Sequence, residues 1–181
     1  MKSIMYALAF LVLVALPAEA KKDGSPATQM LSQAAKANYT GDKKKAFELY
    51  GRAIATKQLK GIELSGAYNE RGAILTSMNR RKEAIGEFTK AINVAPKQPF
   101  YYGNRARTYL TLKEPAKAVE DFTRIIQLKK KPSAFDYADR CGAYAAAKQR
   151  SKAIKDCQKS LELRPGYSKA KRLLEKLDKS E

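Results

Sequence analysis

The 181-residue chain has no histidine and no tryptophan, two cysteines, 7 prolines and 10 glycines. Lacking histidine, it lacks the commonest general base and the commonest metal ligand. Its two cysteines, Cys141 and Cys157, stand sixteen positions apart. That spacing matches neither a zinc-ligand pattern nor the C-x-x-C of a redox motif. With no paired-carboxylate, Ser-His or metal constellation either, the sequence predicts neither an enzyme nor a bound cofactor. The few prolines and glycines, beside 44% apolar residues and abundant alanine, lysine, glutamate and leucine, favour helix over sheet. Acidic residues are scarce as well: 18 Asp and Glu against 36 Lys and Arg give a formal charge of +18. Such a field attracts anionic partners of many kinds, and composition does not choose among them.

Long apolar runs are absent except at the start. MKSIMYALAFLVLVALPAEA leads from Lys2 through an apolar segment, Ile4 to Leu16, to Ala18-Glu19-Ala20. This is the pattern of a secretory signal, with cleavage expected after Ala20 and a mature domain over 21–181. The apolar segment is shorter than the ~20 residues a membrane helix needs, so no transmembrane segment is expected in the mature chain. The implied location is periplasmic or secreted, where a disulfide persists.

Three later segments align without gaps: YNERGAILTSMNRRKEAIGEFTKAINVAP from Tyr68, YGNRARTYLTLKEPAKAVEDFTRIIQLKK from Tyr102 and YADRCGAYAAAKQRSKAIKDCQKSLELRP from Tyr137. Each has an aromatic, an arginine (Arg71, Arg105, Arg140) and a small residue (Gly72, Ala106, Cys141). After a polar turn come an alanine (Ala84, Ala118, Ala153) and a larger group (Phe88, Phe122, Cys157). The 34- and 35-residue spacings and these positions resemble the tetratricopeptide repeat, an antiparallel helix pair. The resemblance implies an all-α, right-handed superhelical solenoid of about four repeats, over about 27–60, 65–98, 99–132 and 134–167. A capping helix is expected over about 168–180, where Leu173, Leu174 and Leu177 fall at helical spacing. Extra residues near Gln58 to Ile62 lengthen a helix or loop between the first two copies.

In a helix hairpin, residues equidistant from the turn lie at one height on opposite helices. Arg71 with Glu87, Arg105 with Asp121 and Arg140 with Asp156 share the sixteen-residue spacing and read as a repeated ion pair. Cys141 and Cys157 straddle the last turn in the same way, replacing the small and large pair of the earlier repeats. A disulfide is expected there, two buried free thiols being the alternative.

The resemblance also implies a partner peptide or protein segment bound on the concave face, lined by the first helix of each repeat. Carried onto this chain, that face includes Tyr39, Asn69, Phe100, Asn104, Arg107, Phe135 and Asp139, a mixed lining. Family members that grip a terminal carboxylate use a Lys/Asn, Asn, Lys/Arg set across three repeats. Beside Asn104 this chain offers Asn69 and Ala73 before it and Phe135 and Asp139 after it, so that clamp is not expected. Positive charge instead gathers at the turns, in Lys43, Lys44 and Lys45, Arg80, Arg81 and Lys82, and Lys148, Arg150 and Lys152. This rim is either a solvated surface or an attractor for an acidic partner. The leading expectation is an envelope scaffold that binds another protein through the groove. The alternative is a binder of acidic polysaccharide, anionic lipid or another polyanion through the rim. Specific nucleic-acid readout is not expected, since no DNA-binding helix motif occurs.

Overall fold

A computed structural model describes residues 24–179; the proposed signal segment lies outside the described residues. These residues form α1 (Pro26–Tyr39), α2 (Lys43–Ala55), α3 (Gly61–Ser77), α4 (Arg81–Val94), α5 (Pro99–Thr111), α6 (Pro115–Leu128), α7 (Ala134–Ala146), α8 (Arg150–Leu163) and α9 (Ser168–Asp178), with no strand among them. Each helix packs on the next, most extensively within the pairs α1–α2, α3–α4, α5–α6 and α7–α8. First helices also touch across repeats, α3 with α5 and α7 with α9. The result is an all-helical solenoid of antiparallel pairs, with α9 taking the place of the first helix of a further pair.

The intra-repeat turns share one geometry. Gly41, Asn79, Lys113 and Lys148 all have positive φ, between 57° and 86°. The residue after each bonds back five positions, Asp42 to Ala37, Arg80 to Leu75, Glu114 to Tyr109 and Gln149 to Tyr144. This is the Schellman ending, which supplies donors to the last carbonyls of a helix and reverses the chain at once. Pro99 and Pro115 open α5 and α6, where a missing N–H costs nothing.

The core is a string of clusters along the array, built where small residues let helices approach. Ala46, Ala84, Ala118 and Ala153 are all fully buried. A Cβ on Gly72 would lie 2.6 Å from the Phe88 ring, so the small and large positions of that repeat are in direct contact. At the matching site of the last repeat, Cys141 and Cys157 are joined by a disulfide, with 5.4 Å between their Cα atoms and no exposure. The extra residues of the first junction are divided between two elements. Residues 56–60 form a loop that drops Leu59 into the core, and α3 grows to 17 residues.

The arginine positions are not equivalent. Arg105 donates Nε and Nη2 to the two Asp121 oxygens at 2.9 and 2.7 Å, and Arg140 does the same to Asp156 at 2.6 and 2.9 Å. Their remaining nitrogens reach the preceding repeat, Arg105 to Thr89 at 2.9 Å and Arg140 to Thr123 at 3.4 Å. Each guanidinium therefore ties three helices together. Arg71 instead meets Glu87 through one contact of 3.2 Å and lies 4.4 Å over the Phe47 ring. Its Nε has no acceptor among the described residues.

Candidate functional site

The first helices present one continuous face. On it, Asn104 of α5 donates to Asn69 of α3 at 2.8 Å, and Arg107 donates to Asn104 at 3.4 Å. Arg107 also lies 3.6 Å from Asp139 of α7, whose carboxylate accepts from Lys169 of α9. These five side chains form a polar ladder across four successive first-position helices. Asn69 is itself only 2% exposed, so it positions Asn104 rather than meeting a ligand directly.

Two cavities flank Arg107. The smaller, about 230 Å³, lies between α3 and α5 and is lined by Ala73, Thr76, Asn104, Thr108 and Thr111, with Phe88 beneath. The larger, about 550 Å³, lies between α5, α7 and α9. Leu110, Phe122, Gly142, Ala146 and Leu173 form its apolar surface. Its charged lining is Arg107, Lys169, Arg172 and Lys176, with Asp139 as the sole acid among the described residues. The mixed lining expected from the sequence is thus a partition, hydrogen-bonding at the α3–α5 end and cationic at the α7–α9 end. Lys169, Arg172 and Lys176 escaped the sequence reading because a helix taken as a cap is expected to turn its charges to solvent.

The other proposed groove residues lie elsewhere on this face or off it. Phe100 and Phe135 sit one helical turn before Asn104 and Asp139 and are 60% and 50% exposed. Phe135 packs edge-on against Tyr167 at 4.8 Å, with Arg164 over its ring. Tyr39, at the end of α1, is 93% exposed and lines neither cavity.

Lys43, Lys44 and Lys45 occupy the first turn of α2, Arg81 and Lys82 that of α4, and Arg150 and Lys152 that of α8. Arg80 is bonded to Glu83 through two nitrogens. Arg150 donates to the Leu177 carbonyl at 3.0 and 2.8 Å, so it fastens α9 to α8. Lys148 is the left-handed residue of its turn. Helix N-termini carry partial positive charge, so the cations in these first turns add to it.

Burial and the bidentate bond set the electrostatics of the clasps. The bond to Asp121 holds Arg105 above the usual guanidinium range against desolvation, and Asp156 does the same for Arg140. Asp136 behaves as a capping carboxylate. Burial pushes it up, but bonds from Lys129 and from the Ser133 hydroxyl and N–H outweigh this and hold it below its ordinary value. Among the described residues no group of three or more acidic, histidine or cysteine side chains is placed to hold a metal ion. No described helix is long and apolar enough to cross a membrane.

Residues 65–98 and 101–132 match the family model of the tetratricopeptide repeat. Both segments are tetratricopeptide repeats. The chain is similar to tetratricopeptide repeat protein 36 of Caenorhabditis elegans, 41% identical over 68 residues, and to its Caenorhabditis briggsae counterpart, 35% identical over 68 residues. Each match covers 38% of this chain and 38% of the relative, so it spans well under half the length of these curated relatives. Among solved structures, the first tetratricopeptide domain of Spaghetti (RPAP3), bound to the HSP90 peptide SRMEEVD, is 29% identical with a TM-score of 0.58, covering 63% of this chain and 90% of that one. MamA from Desulfovibrio magneticus RS-1 has a TM-score of 0.76 at 17% identity, over 86% of this chain and 85% of that one. The latter likeness concerns the fold alone.

Proposed function

We propose that this tetratricopeptide protein is a non-enzymatic scaffold of the periplasm or secreted space that holds an extended segment of a partner protein in its concave groove. The observation that carries the reading is the pair of adjoining cavities on the first-helix face, joined at Arg107 and lined by side chains that can bond a peptide backbone. The peptide bound by the RPAP3 domain supports a peptide-holding role for this related fold. The location rests on the N-terminal pattern, and mass spectrometry of the exported protein is expected to find its first residue at Lys21. Selection of peptides from an unbiased display library is the direct test of the groove. Selected peptides are expected to lose affinity on Arg107→Ala, at an exposed residue that lines both cavities, with the melting temperature little changed. Failure of every peptide to bind would overturn the reading.

A second reading is favoured by one specific feature, the cations in the first turns of α2, α4 and α8. There they oppose the helix dipole, a placement that costs stability and concentrates positive potential on one edge. A polyanion such as an acidic polysaccharide would be held by this edge. Its binding would weaken steeply between about 50 and 200 mM salt, whereas a groove complex would persist.

A further inference from the structure

We propose that the larger cavity, between α5, α7 and α9, selects an acidic peptide segment that carries an apolar side chain, with Asp139 holding Arg107 and Lys169 in place until the segment's own carboxylates arrive. This rests on the groove reading above and adds the chemistry of the occupant.

The charge lining is unbalanced: among the described residues, four cations face one carboxylate. Asp139 is shared between Arg107 and Lys169, one on each side of it. Among the described residues, Arg172 donates only to the Ser168 carbonyl and Lys176 meets no acid. An occupant without negative charge would leave the four cations facing one another around it, three of them, Arg107, Arg172 and Lys176, at exposed positions. A cationic occupant would add to their repulsion. The surface between them is apolar, formed by Leu110, Phe122 and Leu173, so an acid alone would leave this surface wet. An acidic residue beside a leucine-like side chain satisfies both parts, since carboxylates can bond the rim while the apolar group displaces water from the floor.

The α3–α5 cavity continues the path on the far side of Arg107, with Asn104, Thr76 and Thr111 available to a peptide backbone. A chain running along the first helices therefore passes from hydrogen-bonding walls into the cationic pocket. Gly142 keeps that pocket open. It is helical, and a Cβ there would lie 3.8 Å from a Leu173 methyl, ordinary contact distance. The backbone thus accepts a side chain at this position, and a large one would occupy the space.

The test uses a fluorescein-labelled, amidated octapeptide with glutamates flanking a central leucine, and matched peptides with glutamine or lysine in place of glutamate. Fluorescence anisotropy with the purified protein should give binding of the glutamate peptide and at least tenfold weaker binding of the other two. Asp139→Asn removes the one repelling carboxylate and should tighten the glutamate peptide roughly 5-fold. Gly142→Leu should weaken it at least tenfold, with a melting temperature no lower than that of the parent. The double variant Arg172→Glu, Lys176→Glu, at exposed positions of α9, should abolish binding with the helical signal retained. Equal affinity for the glutamine peptide, loss of binding in Asp139→Asn, or retained affinity in Gly142→Leu would each overturn the proposal. If display-selected peptides bind while the glutamate peptide does not, the acidic selectivity fails and the groove reading stands; if neither binds, the groove reading fails.

Discussion

Arg105 and Arg71 occupy the same repeat position but differ in what surrounds them. Arg105 has both bidentate bonds and the Thr89 hydroxyl, and its partner Asp121 is only 4% exposed. Removing the guanidinium leaves that carboxylate buried with no cation, the case in which loss of one partner typically costs about 3–5 kcal/mol. Arg71 has one ion contact, and Glu87 retains Lys90 at 2.8 Å when it is lost. Chemical denaturation should therefore find Arg105→Ala destabilising by roughly 3 kcal/mol and Arg71→Ala by about half of that. Equal losses would mean that the bidentate geometry and the threonine bond contribute little. The spacing alone told which residues pair, because sixteen positions across a hairpin fix facing sites. It did not tell how tightly: the tie to the preceding repeat depends on Thr89 and Thr123, and the equivalent position of the first repeat holds Gly51, which has no side chain. Asp136 adds a titratable effect at the same scale. Its carboxyl in the unfolded chain takes up a proton near the ordinary 3.8, while in the folded protein it does so only at lower pH. The stabilisation is present above the unfolded value and is lost as pH falls through the folded one, because the unfolded state binds the proton first. Asp136→Asn should flatten the acid limb of a stability–pH curve below about pH 4 while lowering stability at neutral pH.

Helix endings were legible from Gly41, whose φ of 86° suits glycine, but less so where the same left-handed site holds Lys113 or Lys148. A lysine there is sterically disfavoured, yet the Schellman bonds and the packed pair on either side impose the conformation. Lys148→Gly should therefore raise stability by about 0.5–1 kcal/mol, the steric relief exceeding the added entropy of the unfolded chain. A lower midpoint in urea would show that the lysine side chain makes up for its backbone. The neighbouring α7–α8 pair is also held by the disulfide. Reducing it should cost about 3 kcal/mol on the chain-entropy estimate for a loop of this size, read as a drop in the urea midpoint with dithiothreitol present. A change well under 1 kcal/mol would indicate that the buried thiols pack as well as the bond. For α9 the apolar spacing of Leu173, Leu174 and Leu177 identified a cap, since only its buried stripe has to obey a period. Its other face is free of that constraint, which is why the cations facing the α7 pocket left no pattern to read.

At the scale of the whole molecule the charge of +18 is the governing quantity. The acids are largely used in pairs within or between helices, Asp121 and Asp156 in clasps, Glu83 with Arg80 and Glu114 with Lys117. The surplus cations therefore repel one another across the rim and the α7–α9 end of the groove. Salt acts on the two kinds of interaction in opposite senses: it weakens exposed ion pairs, each worth little, and screens a repulsion summed over the whole surface. At about 150 mM the Debye length is ~8 Å, shorter than the solenoid but longer than an ion pair, so the long-range repulsion is screened more than the contacts. Raising sodium chloride from about 10 to about 150 mM should thus increase the melting temperature by a few degrees, measured by circular dichroism at neutral pH. A decrease would mean that local pairing, rather than net charge, dominates the surface electrostatics. The same repulsion links stability to binding. An acidic segment seated among Arg107, Lys169, Arg172 and Lys176 would relieve part of it, so the upward shift in melting temperature caused by such a ligand should be larger at about 10 mM salt than at about 150 mM.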